Sequence, residues 1–108
     1  MRADVSEPFH LILSPEALGD LVKLHAFIAA DSPDAAAKMV GQILHSIQLL
    51  ETIPQRQKTR WRTPRQNEPV RSLPVWPYVV FFRVIEQKRI VRILTIRHGA
   101  RRRPRRFE

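Results

Sequence analysis

Two Ser-Pro pairs, Ser14-Pro15 and Ser32-Pro33, constrain the fold of this chain more than any other feature. A serine just before a helix accepts hydrogen bonds from the unpaired N–H groups of the first turn. Proline is favoured at the first helical position, because its φ angle already suits a helix and its missing N–H is not needed there. The sequence therefore predicts two successive helices that begin at Pro15 and Pro33.

Apolar residues recur at steps of three and four in both segments, which is the spacing of one helix face. The first helix is predicted to run to about Ala30, with an apolar face formed by Leu18, Leu21, Val22, His25, Ile28 and Ala29. His25 is accordingly expected in the core or at its rim, and Asp20 and Lys23 off that face. The second helix is predicted to run to Pro54 and to pack against the first through Ala36, Val40, Ile43, Ile47 and Leu50.

Strand-forming residues lie on both sides of the helices. A first strand is predicted over Phe9 to Leu13, and a short or edge strand over Val70 to Val75, because Pro74 cannot donate to a ladder. Tyr78 to Ile85 and Arg89 to Arg97 are rich in Val, Ile, Phe and Tyr and are joined by only three residues, which predicts a hairpin.

The remaining segments lack apolar periodicity. Gln55 to Pro69 is predicted to be a basic surface loop, and residues 100–108 a basic, flexible tail. The predicted fold class is α+β: one domain over residues 1–108, with an N-terminal strand and a two-helix antiparallel hairpin packed on a small antiparallel sheet, in the order βααβββ.

Positive charge is concentrated in the second half of the chain. The formal net charge is +9; residues 1–54 contain three basic and seven acidic side chains, and residues 55–108 contain sixteen basic and three acidic ones. A field of this kind steers the encounter with an anionic partner, either nucleic acid or an acidic protein surface. The chain has no cysteine, no apolar run long enough to span a membrane and no signal-peptide pattern, so a cytoplasmic location without membrane contact is expected.

Three segments are distinctive: LSPEALGDL at Leu13 to Leu21, VRSLPVWPYVVFFRV at Val70 to Val84, and RILTIRHGARRRP at Arg92 to Pro104. Together they resemble the ParE/RelE toxin superfamily, and the ending of the third is similar to the HGRR-like ending of ParE chains. The resemblance implies the toxin of a type II toxin–antitoxin, or plasmid stabilisation, system. Its partner would be a cognate antitoxin with an acidic C-terminal segment that wraps around the toxin.

The resemblance implies two competing activities. ParE-type members are associated with inhibition of DNA gyrase, whereas RelE-type members are ribosome-dependent endoribonucleases that cleave mRNA. Nuclease members carry a catalytic tyrosine, or a histidine with a tyrosine or phenylalanine, near the C-terminus, but here Gly99 and Ala100 follow His98 and Tyr78 is the only tyrosine. The ending therefore favours a gyrase inhibitor that acts by binding, with gyrase or a gyrase–DNA complex as target. Phe82 stands where many ParE members carry tyrosine.

The expected target-binding residues are the basic ones at the end of the hairpin: Arg97, His98, Arg101, Arg102 and Arg103. Guanidinium groups bind carboxylates and phosphates through paired hydrogen bonds. Arg60, Trp61 and Arg62 form a secondary basic site, in which Trp61 either stacks on a base or folds back onto the helices.

Two alternatives stay open. In the ribonuclease alternative, Arg71, Arg83 and Arg97 would supply positive charge and His98 an acid or base. In the other, the chain is a non-catalytic nucleic-acid-binding module. No cofactor or metal is expected, because the four histidines show no ligand spacing.

Overall fold

The computed structural model describes residues 8–52, 59–61 and 69–99, and for residues 59–61 the backbone only. The predicted tail at 100–108 and most of the predicted basic loop lie outside the described residues. In the described ranges the chain order is β1 (His10–Leu13), α1 (Pro15–Ala29), α2 (Pro33–Gln48), β2 (Thr59–Trp61), β3 (Val70–Val75), β4 (Tyr78–Ile85) and β5 (Ile90–His98). Short 3₁₀ turns follow α2 at Leu49–Glu51 and join β4 to β5 at Glu86–Lys88.

Both helices begin as predicted. The Ala17 N–H donates to Ser14 Oγ at 3.0 Å, and the Ala35 N–H donates to Ser32 Oγ at 3.1 Å. Each cap is followed by proline at the first helical position. The two serines differ in one respect: Ser32 lies near the surface, whereas Ser14 is buried and its hydroxyl also donates to the Leu94 carbonyl at 2.8 Å.

The described strands form one sheet in the order β1-β5-β4-β3-β2. The predicted α+β class and the order βααβββ are confirmed, with two differences. The sheet is mixed rather than wholly antiparallel, because β1 runs parallel to β5 with His10 opposite Ile90 and Leu13 opposite Ile93. The second difference is β2, a three-residue strand inside the predicted basic loop, which pairs only with the start of β3.

The two helices pack on one face of the sheet and form the main core with it. The predicted α2 face is confirmed: Ala36, Ile43, Ile47 and Leu50 are buried, and Val40 packs against them. Alternate residues of β4 and β5 complete this core, including Val80, Phe82 and Ile93. On the opposite sheet face, Val70, Phe81 and Leu94 form a smaller apolar cluster.

The predicted apolar face of α1 is only partly right. Leu21 and Ile28 do pack against the core, but the fully buried positions are Ala17 and Leu24. Leu18 is 52% and Val22 69% exposed, and His25 is exposed rather than in the core or at its rim. The real face is therefore rotated by about a quarter of a turn from the predicted one, at roughly 100° per residue.

The rotation has a physical cause. Apolar residues occupy most of the circumference of α1, so periodicity alone does not select which of them face the sheet. The position of Asp20, which hydrogen-bonds to β5, sets the rotation instead. No helix in the described part of the chain is long and apolar enough to cross a membrane.

Candidate functional site

The first half of α1 lies along the edge of β5 and takes the place of a strand there. Strand β1 ends opposite Ile93, so the last residues of β5 have no described strand on that side. Instead, the Ser14 hydroxyl donates to the Leu94 carbonyl, and Asp20 Oδ2 accepts from the Ile96 N–H at 2.9 Å and the Thr95 hydroxyl at 2.7 Å. These bonds satisfy backbone groups that an open strand edge would expose. They also hold α1 beside the end of β5.

An irregularity in β5 lies at the same place. Phe81 is opposite Thr95 and Phe82 is opposite Ile93, so Leu94 is an extra residue without a direct partner in β4. A bulge of this kind bends a strand and redirects the side chains that follow. The bulged residue is the one whose carbonyl accepts from Ser14, so the helix cap and the bulge stabilise the same geometry.

An open cleft of about 610 Å³ lies between α1 and the ends of β4 and β5. Phe27 is 74% exposed at its rim, and the Tyr78 and His98 rings meet edge to face with centroids 5.4 Å apart. The cleft therefore combines apolar and aromatic surface with cations. The helix contributes Asp20, Lys23, Leu24 and Phe27, and the sheet contributes Tyr78, Ile96, Arg97 and His98.

Arg97 is held at the cleft by weak contacts. Its Nη2 lies 3.3 Å from Glu16 Oε2, and its Nε donates to Thr95 Oγ1 at 3.2 Å. The Arg97 and Glu16 side chains are 38% and 46% exposed, and an ion pair so accessible to water contributes little to stability. Arg97 is thus positioned by the fold, yet it can exchange Glu16 for an anionic group of another molecule at small cost.

The turn between β3 and β4 lies beside the end of β5. The Gly99 N–H donates to the Pro77 carbonyl at 2.6 Å, and the Trp76 ring lies against Gly99. A Cβ atom at Gly99 would overlap Trp76 Cζ3 and lie 3.1 Å from the Pro77 oxygen. Gly99 does not have a positive φ, so the glycine is needed here for close approach of the indole and not for an unusual backbone angle.

The structure brings together only some of the predicted site residues. Arg97 and His98 both line the cleft. Arg71 lies opposite Phe82, four residues along β3 from Val75, which pairs with Tyr78 beside His98. At about 3.3 Å per residue, this places Arg71 roughly 13 Å along the sheet from the cleft.

Arg83 is also separated from the cleft along the sheet. It is 4% exposed and lies five residues along β4 from Tyr78, or roughly 17 Å. Odd and even positions of a strand face opposite sides, so Arg83 lies on the face opposite to Tyr78 and on the same face as Val79, whose partner is Arg97. Of the other predicted residues, Arg60 and Trp61 belong to β2, and Arg62, Arg101, Arg102 and Arg103 lie outside the described residues.

Sequence reasoning missed Lys23, Phe27, Tyr78 and Trp76 as site residues. Asp20, Lys23 and Phe27 are spaced by three and four along α1, so they form a second stripe next to the buried one. Trp76 had a usable signal, since a large aromatic followed by proline lies between two strands, where turn residues are expected. The described residues contain no group of three or more His, Cys, Asp or Glu side chains that could hold a metal ion.

Residues 11–103 match the model of a family described as the ParE toxin of the type II toxin–antitoxin system parDE. No curated protein sequence matches the chain significantly.

Solved structures of similar fold include three toxin–antitoxin systems. The chromosomal ParDE system of P. aeruginosa superposes with a TM-score of 0.64 at 21% identity, over 86% of this chain and 98% of that one. The archaeal RelE–RelB complex of Pyrococcus horikoshii gives a TM-score of 0.63 at 15% identity, over 88% and 99%. The RelBE2 complex of Mycobacterium tuberculosis gives 0.58 at 20% identity, over 84% and 98%. At these identities the likeness shows a shared fold.

Proposed function

Because the chain belongs to the ParE toxin family of type II toxin–antitoxin systems, we propose that it inhibits DNA gyrase by binding and catalyses no reaction itself. It acts in the cytoplasm on gyrase or on a gyrase–DNA complex, and a cognate antitoxin neutralises it. Such a pair serves plasmid stabilisation, because cells that lose the antitoxin are inhibited by the toxin that remains.

The observation that carries this proposal is the separation of the basic strand residues. Cleavage of RNA needs a base, an acid and a cation around a single phosphate group. Arg97 and His98 line one cleft, whereas Arg71 and Arg83 each lie roughly 13 Å or more away along the sheet. This arrangement favours a binding surface over a four-residue catalytic site.

The proposed target-binding surface consists of Arg97 and His98 at the cleft together with Arg101, Arg102 and Arg103, which follow in the sequence. Arginine forks form paired hydrogen bonds with carboxylates and phosphates. Phe27 and Lys23 on the opposite wall add an exposed aromatic ring and a further cation. The surface therefore suits an acidic patch with an apolar centre.

The positive net charge of the chain and the exposed apolar side chains of α1 suit binding by an acidic antitoxin. Leu18 and Val22 on α1 are 52% and 69% exposed, which is unusual for two large apolar side chains one helical turn apart. An acidic, amphipathic C-terminal segment of the antitoxin would cover such a stripe and offset the net charge of +9. A segment that wrapped around α1 and also covered the cleft would remove Arg97 and His98 from the target.

One observation favours the RelE-type alternative, a ribosome-dependent mRNA endoribonuclease. The Tyr78 and His98 rings meet edge to face in the cleft, and both are side-chain types that serve in general acid–base catalysis. A third candidate, a non-catalytic nucleic-acid-binding module, draws on the basic second half of the chain.

A pair of assays on the purified full chain separates these candidates. We expect inhibition of gyrase supercoiling, relieved by the antitoxin, and no effect on cell-free translation at the same concentration. Arrest of translation with cleaved mRNA would replace the proposal by the ribonuclease, and activity in neither assay would leave the nucleic-acid-binding module.

A further inference from the structure

The Arg97 guanidinium is oriented by a chain of hydrogen bonds that ends at Asp20. Thr95 Oγ1 accepts from Arg97 Nε at 3.2 Å, and the Thr95 hydroxyl donates to Asp20 Oδ2 at 2.7 Å. A hydroxyl has one hydrogen, so when the carboxylate takes it, the oxygen lone pairs remain for Arg97. Thr95 is 2% exposed, so the core sets its position. The chain therefore fixes the Nε side of the guanidinium.

The Nη2 atom of the same guanidinium faces Glu16, and this contact is replaceable. Nη2 lies 3.3 Å from Glu16 Oε2, and both side chains are more than a third exposed. Glu16 belongs to the first turn of α1, where the positive end of the helix dipole favours a carboxylate. Glu16 therefore keeps a favourable environment when Arg97 binds a different anion, which lowers the cost of the exchange.

We propose that Arg97, oriented by Thr95, binds one carboxylate of the target protein, and that Glu16 occupies this site in the free chain as a built-in competitor. The site belongs to the proposed target-binding surface, so its role in the cell rests on the proposed function. Thr95 is a positioning residue, because it acts on the ligand through Arg97. Glu16 lowers the affinity of the site, because two carboxylates at one guanidinium repel each other.

The charges on the helix wall of the cleft favour a protein carboxylate over a nucleic-acid backbone. A bound phosphodiester brings further phosphates on both sides, one for each nucleotide. Glu16 and Asp20 lie one helical turn apart on α1 beside Arg97 and would repel those phosphates, and the same stripe offers one cation, Lys23. An acidic side chain with apolar neighbours brings no such row of charges, and the exposed Phe27 ring offers those neighbours a contact surface.

The first test uses acetate as the probe and the full chain with isotope-labelled arginine nitrogen, observed by NMR. Arg97→Lys removes one Nε–H signal and so identifies it. Acetate, added at constant ionic strength, is expected to shift that signal. Glu16→Gln should lower the acetate dissociation constant by roughly 2- to 5-fold, the range expected for an exposed ion pair. Asp34→Asn is the matched control, because it removes one negative charge from the first turn of α2 at an exposed position, and it should change nothing.

The second test concerns the positioning role of Thr95. Thr95→Val removes the acceptor of Arg97 Nε, so this N–H should exchange faster with water. Acetate should also bind roughly 3- to 10-fold more weakly, about the effect of one hydrogen bond. Thr95→Ser keeps the hydroxyl and should restore both properties. A loss of folding would alter the signals of other arginines as well, so a change confined to Arg97 reports its orientation.

The outcomes are distinct. Glu16→Gln should inhibit gyrase supercoiling at a lower concentration than wild type, and Asp34→Asn should not. The proposal is overturned if Glu16→Gln binds acetate like wild type, or if dimethyl phosphate, which resembles the nucleic-acid backbone, binds Arg97 more tightly than acetate does. The acetate titration contains no gyrase. The expected acetate results in a chain without effect on supercoiling would therefore refute the gyrase target and support the carboxylate site.

Discussion

At the scale of single residues, Asp20 links the two walls of the cleft. One carboxylate oxygen accepts from both the Thr95 hydroxyl and the Ile96 N–H, which are 75 and 76 residues away in sequence. A carboxylate is well suited to this task because it has several acceptor sites and a full charge. Asp20 thereby links the middle of α1 to the end of β5 and sets which side of the helix faces the sheet.

We expect Asp20→Ala to destabilise the protein by about 1–3 kcal/mol, because it leaves the partly buried donors of Thr95 and Ile96 without their acceptor. Asp20→Asn keeps an acceptor oxygen and should lose less. Asp31→Ala, at an exposed position, is the matched control. Urea unfolding curves measure all three, and equal stability of the alanine variant and wild type would contradict this role of Asp20.

Substitution of His98 distinguishes a binding inhibitor from a nuclease. If His98 only contacts the target, His98→Ala should weaken gyrase inhibition by a few-fold. If His98 were a general acid or base, its loss would lower the reaction rate by roughly 100-fold or more. Tyr78→Phe keeps the ring beside His98 and removes only the hydroxyl, so we expect a smaller effect still. A loss of toxicity in both variants, with folding and antitoxin binding intact, would favour the ribonuclease.

At the scale of elements, α1 packs in the core and also hydrogen-bonds to the open edge of β5, where a further strand would otherwise pair. Its cap residue, Ser14, accepts from Ala17 and donates to the carbonyl of the bulged Leu94. Ser32 caps α2 with one bond near the surface. The same residue type therefore has different consequences at the two helix starts.

The two helix caps are expected to differ in their contribution to stability. Ser32→Ala should destabilise by about 1 kcal/mol, the usual effect of losing an N-cap. Ser14→Ala should destabilise by roughly 2–3 kcal/mol, because a buried carbonyl also loses its donor. Thermal melts of both variants test this ranking, and a Ser32 variant as unstable as the Ser14 variant would show that the link to Leu94 contributes nothing.

The elements that local chemistry encodes were predictable from the sequence. The Ser-Pro pairs gave both helix starts, and the three-residue connection at 86–88 gave the hairpin. The parallel pairing of β1 with β5 was not predictable, because it joins residues about 80 apart and no turn sets its direction. The cleft was predictable only in part. The sequence identified Arg97 and His98 as site residues, but Lys23 and Phe27 lie beside them only because of how α1 is rotated against the sheet.

At the scale of the whole molecule, charge is divided along the chain. The first half, which holds both helices, has seven acidic and three basic residues, and the second half has three acidic and sixteen basic ones. Such a field accelerates encounter with an anionic partner and weakens as salt screens it. The association rate constant of the toxin and antitoxin should accordingly fall as the salt concentration rises, with a smaller change in the dissociation rate constant. Stopped-flow mixing at several salt concentrations measures this.

The basic tail is where this charge should matter most for toxicity. We expect truncation after Gly99, or the double reversal Arg101→Glu and Arg102→Glu, to abolish gyrase inhibition and toxicity, because the proposed target surface loses its paired guanidinium donors. The thermal midpoint should hardly change, since the described core ends at Ile96.

The double reversal Lys38→Glu and Lys88→Glu is the control. It alters the net charge by the same amount as the reversal of Arg101 and Arg102, at exposed positions away from the cleft, and it should leave inhibition intact. A folded truncation that still killed cells would move the toxic surface elsewhere, with the basic segment around Trp61 as the next candidate. Equal loss in both double reversals would mean that net charge, and not the tail itself, determines binding.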